Sequence, residues 1–292
     1  MLIHQRFLQG SIRKTLFVEP RKFSKKRIAQ NSMSVITITT DLGTSDYYLA
    51  ALKGSILKAF DAVQMVDLNC NIRQYNIRQA AYNIREAFKY FPAKTIHVAH
   101  LNANAANPKI LLVKHQEQFV VTFDNTLLSL LPKEFTAEVF ALHNTLLKKE
   151  DTFLFDALAL VVSHLAQGKN LREIATPYLE FEKKNLLKAI ITNMGIKGIV
   201  EATDVFGNVI TNIHRDLFYE YVKDQPFEIA INHETISTIS KGYYEAEEGD
   251  IIAVFNSSGF LEIAIKENKA SNLLGLSVDN AVLVTLVAKN YF

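Results

Sequence analysis

Apolar positions divide the chain into two regimes. From residue 35 to residue 99 short β-branched runs alternate with longer stretches of helical spacing. Val35-Ile36-Thr37-Ile38 opens a strand over 35–40 that runs into Asp41-Leu42-Gly43, and residues 47–60 set Leu49, Leu52, Ile56 and Leu57 along one side of a helix. A strand over 63–68, a helix over 77–90 stopped by Phe91-Pro92, and a strand over 95–99 follow. This β-α-β-α-β rhythm predicts an α/β N-terminal domain, a parallel, Rossmann-like sheet covered by helices. Such sheets bind ligands beyond the carboxyl ends of their strands. Asp41, Asp46 and Asp67 all fall there.

A hairpin over 110–113 and 119–123 and a buried helix over 157–166 complete this part. Pro177 and the charged run 180–184 mark a linker at 176–188. Beyond it the period shortens to strands over 198–203, 208–213, 227–231, 251–256, 261–265 and 281–287, with turns at Gly207, Gly249 and Ser257-Ser258-Gly259. That spacing predicts a small all-β C-terminal domain, an antiparallel barrel or sandwich. The domains expected are therefore 33–175 and 189–292.

Composition changes this picture at one end only. The first 32 residues carry eight Lys/Arg against Glu19, and the remainder has 24 Lys/Arg against 29 Asp/Glu, net −5. An acidic body argues against a nucleic-acid partner. The basic segment 1–32 lacks the apolar core of a secretory signal. With Met33 directly before the first strand, it reads as a disordered leader or a misassigned start, with a targeting role as the alternative. No apolar run approaches the roughly 20 residues of a membrane span. A single cysteine, Cys70, excludes an intrachain disulfide and suits a reducing, cytoplasmic setting.

No phosphate-binding glycine loop, serine-hydrolase elbow or zinc motif is present, so neither a metal nor a bound cofactor is expected. Strand-end carboxylates remain in one half, and turns rich in Gly, Asn and Ser in the other. An ionised Asp46 offers two acceptor oxygens to ribose hydroxyls. Phe206 is able to stack on a purine, and Asn208 to pair with its polar edge.

The order Thr40-Asp41-Leu42-Gly43, Lys53-Gly54, Val66-Asp67, Phe91-Pro92, Phe123-Asp124-Asn125, Asp204-x-Phe206-Gly207-Asn208, Thr211-Asn212 and Asn256-Ser257-Ser258-Gly259 resembles the family of S-adenosyl-L-methionine (SAM) hydroxide adenosyltransferases and SAM-dependent fluorinases and chlorinases. The likeness spans nearly all of 34–287. It implies an α/β domain plus a β-barrel, a homotrimer, and SAM as substrate between neighbouring subunits. Asp46 would hold the ribose, Phe206 and Asn208 the adenosine moiety, Asp204 the methionine ammonium, and Ser257 with Ser258 the carboxylate; Asp41 belongs to the same set. Asp67 would position the attacking water.

The chain departs from that pattern where water is handled. Gln74 stands in place of an arginine and Phe153 in place of a histidine, leaving Arg73 and His100 as candidates for those tasks. The segment 100–107 replaces a glycine-rich loop, Lys266 an asparagine, and Asn102 and Ala105 the residues of a halide pocket. Three activities are compatible with this: hydrolysis of SAM to adenosine and L-methionine, binding without catalysis as a sensor or scaffold, or attack by another nucleophile.

Overall fold

The computed structural model describes residues 33–101, 108–147, 153–183 and 188–287; the segment 1–32, Asn102 and Ala105 lie outside the described residues. The first sheet contains β1 (Ser34–Thr40), β2 (Val63–Asn69), β3 (Ile96–His100), β4 (Ile110–His115), β5 (Gln118–Phe123), β6 (Val139–Leu142) and β7 (Ala175–Pro177). Their order is β2-β1-β3-β5-β4-β6-β7. Only the run β2-β1-β3-β5 is parallel; β4, β6 and β7 add antiparallel. The sheet is therefore mixed, which corrects the parallel, Rossmann-like expectation. The cause is local. Gln116 and Glu117, at φ 46° and 62°, form a two-residue turn between β4 and β5, and so short a connection joins only antiparallel neighbours. β7 takes in Thr176 and Pro177, the first residues of the stretch read as a linker.

Helices α1 (Tyr48–Ala59) and α3 (Phe155–Ala166) pack together over one face of this sheet, against Ile36 and Ile38. Leu49, Leu52 and Ile56 give α1 its buried stripe, whereas Leu57 remains 47% exposed. Full burial of Leu52 and Ile56 contributes about 1.5–3 kcal/mol each. Helix α2 (Ile77–Phe88) covers the other face with Ala80, Ala81, Ile84 and Phe88, and the Asn76 side chain caps its start.

The second sheet is antiparallel throughout, as its barrel-like pattern required. It comprises β8 (Ile190–Thr192), β9 (Gly195–Thr203), β10 (Val209–His214), β11 (Phe227–Ile231), β12 (Glu234–Ile236), β13 (Ile251–Phe255), β14 (Phe260–Ile265) and β15 (Ala281–Leu286). The order is β12-β11-β15-β9-β10-β14-β13, with β8 on β9. Its two ends approach closure where the Ser240 N–H, just after β12, donates to Ala253 of β13 at 2.8 Å. Val200, Val209, Ile213, Leu261, Ile263 and Val284 fill the interior, joined by Phe218 from α4 (Arg215–Val222). A short helix, α5 (Ala270–Leu273), follows β14.

Helix α2 also binds the second sheet. Arg85 pairs with Glu201 of β9 through two parallel contacts of 2.8 and 3.1 Å, Arg78 meets Asp279 at 2.7 Å, and Gln79 Nε2 donates to the Thr203 carbonyl at 3.4 Å. Among the described residues no helix is long and apolar enough to cross a membrane.

Candidate active site

The loop after β1 and the loop after β2 are tied to each other. Ile72 N–H donates to the Thr40 carbonyl at 3.3 Å, and the Thr44 hydroxyl to Asn71 Oδ1 at 3.3 Å. Gly43, at φ +77°, supplies the left-handed step of the first loop. Asp46 Oδ1 accepts the Tyr48 N–H at 3.0 Å, which opens α1 and leaves the carboxylate exposed. On β2 the register passes from Ile38↔Asp67 to Thr39↔Asn69, so Leu68 is an extra residue, a β-bulge directly after Asp67. Lys53, from the middle of α1, stands 2.8 Å from each Asp67 oxygen. Beside this pair is Cys70. Burial, then the Asp67 charge, pushes its thiol up to about 11, so it stays protonated and is no thiolate nucleophile at neutral pH.

The β2 loop leads into a cleft of about 1110 Å³ between α2 and the second sheet. Asn69, Asn71 and Arg73 line one side; Asp204, Ser257 and Ser258 line the other. Two hairpin turns build that second wall. Asp204 Oδ1 accepts the N–H groups of Phe206 and Asn208 at 2.9 and 2.8 Å, and its Oδ2 takes Asn208 Nδ2 at 3.1 Å. Gly207 is required between them: at φ +85°, a Cβ there would lie 2.6 Å from Lys269 Cβ. Asn256 Oδ1 similarly accepts the N–H groups of Ser258 and Phe260 at 3.0 and 3.1 Å, presenting Ser257 and Ser258 to the cleft.

The structure thus gathers Asp204, Ser257, Ser258 and Arg73 around one opening, with Phe206 and Asn208 on the Asp204 turn. Asp41, Asp46 and Asp67 form a strand-end group of their own, and none of the three is among the residues that line this cleft. His100 lies elsewhere. It is 2% exposed, packs against Phe123 and Phe155, and donates from Nε2 to the Phe153 carbonyl at 3.0 Å. Phe153 itself packs between Tyr48 and Phe155, with ring centroids 4.8 and 5.3 Å away. The Phe153 ring thus continues an apolar wall.

Glu262 escaped the sequence reading. It is 3% exposed on β14, lines the cleft, and accepts a hydrogen bond from the Tyr243 hydroxyl. The signal was present: a carboxylate among the apolar residues of the strand Phe260-Leu261-Glu262-Ile263-Ala264. Burial raises Glu262 above the usual carboxylate range despite the Tyr243 hydrogen bond, and Asp204 raises it further. A carboxyl raised on folding stabilises the fold fully at low pH, and that stability is lost as pH rises through its folded value. Thermal melts should therefore move in favour of Glu262→Gln over wild type as pH increases from about 4 to about 8. A difference between the two that stays constant with pH would show that burial does not perturb Glu262.

A mixed sheet with carboxylates at its strand ends, facing an antiparallel sheet whose turns are organised by Asp204 and Asn256, defines a two-part small-molecule-binding protein of enzyme type. The chain belongs to the SAM hydroxide adenosyltransferase family: residues 36–175 match the family's N-terminal domain and residues 198–283 its C-terminal domain. It is 29% identical over 259 residues to the (R)-S-adenosyl-L-methionine hydrolase of Methanocaldococcus jannaschii, covering 84% of this chain and 93% of that one. It is also 23% identical over 218 residues to a fluorinase of Actinoplanes sp., covering 63% and 73% respectively. Among solved structures, an uncharacterized conserved protein from Thermotoga maritima superposes with a TM-score of 0.77 at 25% identity, over 86% of this chain and 99% of that one.

Proposed function

We propose that the protein hydrolyses SAM to adenosine and L-methionine. The observation that carries this reading is the near end-to-end similarity to the hydrolase of M. jannaschii, beside which Asp204, Ser257 and Ser258 line one cleft. Water attacks ribose C5′ opposite the sulfonium. An O–C5′ bond forms, the C5′–S bond breaks with its electron pair passing to sulfur, and methionine departs as a neutral thioether. The leaving group needs no proton, so the protein's work is to orient water and receive the proton it loses. Asp67 has that role in our reading. Asp46 holds the ribose, with Asp41 beside it, and Phe206 and Asn208 take the adenosine moiety. Asp204 receives the ammonium, and Ser257 with Ser258 receive the carboxylate.

We further propose that the working unit is a homotrimer in which one copy's strand-end group faces the neighbour's second sheet. Tyr47 and Phe206, at 68% and 73% exposed, are large rings standing beside assigned substrate residues. Their exposure supports a site completed by another copy. A reducing, cytoplasmic setting suits the buried thiol of Cys70.

The packing of Phe153 favours one competing reading, a protein that binds SAM without turning it over. Chromatography of adenosine and methionine after incubation with SAM separates the two. Release of both in equal amounts is expected. Binding in a thermal-shift assay with no release would instead establish the sensor or scaffold.

A further inference from the structure

We infer that Lys53 is the residue that positions Asp67 for the attack of water. The inference rests on the reading of Asp67 as the group that orients the water and receives its proton. Among the described residues the ion pair of Asp67 is with Lys53, whose Nζ lies 2.8 Å from Oδ1 and 2.8 Å from Oδ2. The two other candidates for that service are placed differently. Arg73 lines the cleft, and His100 is enclosed by Phe123 and Phe155 with Nε2 on the Phe153 carbonyl.

The backbone around the pair fixes this geometry. Lys53 sits on α1 directly after fully buried Leu52, so the helix that anchors the core also sets the ammonium against β2. The bulge at Leu68 changes the register immediately after Asp67, re-aiming the strand end where the carboxylate stands. A carboxylate contacted at both oxygens by one cation has its rotation about χ2 restrained, so its lone pairs keep a set direction toward solvent. Both groups retain access to that solvent, with side chains 30% and 46% exposed. An ion pair this open contributes little to folding. Its consequence is therefore to be sought in the reaction.

Steady-state kinetics with SAM on Lys53→Met, Lys53→Gln and Lys53→Arg, together with thermal melts, tests the assignment. Lys53→Met is expected to lower kcat about 10²-fold, with KM within about threefold and the melting temperature unchanged. Lys53→Arg should recover most of the loss, because a guanidinium fork also reaches both carboxylate oxygens. In an Asp67→Asn background, Lys53→Met should cost nothing more, since the lysine acts only through the carboxylate. If Lys53→Met fails to fold, Lys53→Gln supplies the same comparison. Wild-type kcat in the Met or Gln variant overturns the inference, as does a full additional loss in the Asp67→Asn background. A wild-type protein that releases no adenosine overturns the hydrolase reading first, and this role of Lys53 with it.

Discussion

Asp67→Ala is expected to slow the release of adenosine and methionine by about 10²–10⁴-fold, the usual range for a positioned proton acceptor. The protein should keep its fold and its affinity for SAM. Asp67 stands at a strand end with its side chain 46% exposed, so alanine there leaves no buried void. The residues assigned to ammonium and carboxylate line the cleft, and Asp67 does not. The effect should accordingly fall on kcat, with KM little changed. Single-turnover measurements with SAM in excess over its dissociation constant would isolate the chemical step. If the variant releases products at the wild-type rate, water is activated elsewhere and the assignment of Asp67 fails.

The largest effect on stability is expected at the contact between α2 and β9. Arg85→Ala should destabilise the protein by about 3–5 kcal/mol, because it strands the buried Glu201 carboxylate, and Glu201→Ala by less, because Arg85 keeps Glu86. For a domain of this size that corresponds to a fall in melting temperature on the order of 10 °C. The side chains of Arg85 and Glu201 are only 17% and 7% exposed. Burial opposes the Arg85 charge, yet the hydrogen bonds and charges of Glu201 and Glu86 outweigh it and strengthen its hold on the proton. The guanidinium also lies over the rings of Tyr82 and Phe260, at 5.3 and 5.0 Å. Replacing both partners together, as Arg85→Met with Glu201→Leu, should restore part of the loss, since neither is left without the other, while Glu86 gives up its 2.6 Å contact with Arg85. Denaturant unfolding would measure this cycle. Single variants within about 1 kcal/mol of wild type would mean that the pair is solvated and has no such weight.

What was legible in the chain followed from local periodicity. The β-branched run ending at Thr40 and the spacing of Leu49, Leu52 and Ile56 became β1 and α1 with small changes at the ends. Strand direction was not legible in the same way. A helical crossover predicts parallel neighbours, but nothing in the residues of β4 and β5 says which of them lies beside β3. The short strands β6 and β7 have too few residues to show a period, and they are held by partners distant in sequence. The site divides similarly. Asp204 and Asn256 act within four residues of themselves, so their turns can be read from short motifs. Lys53 meets Asp67 across 14 positions and Arg85 meets Glu201 across 116. Such pairings arise from packing, and composition along the chain carries little trace of them.

The Asp204 turn has a consequence for recognition. Its carboxylate already holds the Phe206 and Asn208 backbone amides and the Asn208 side chain, so the loop takes its shape as the chain folds. A ligand reaching it meets a preorganised surface, and little rotamer or backbone freedom is surrendered at the moment of contact. Association is then limited by encounter and desolvation, with no slow rearrangement of this loop to wait for.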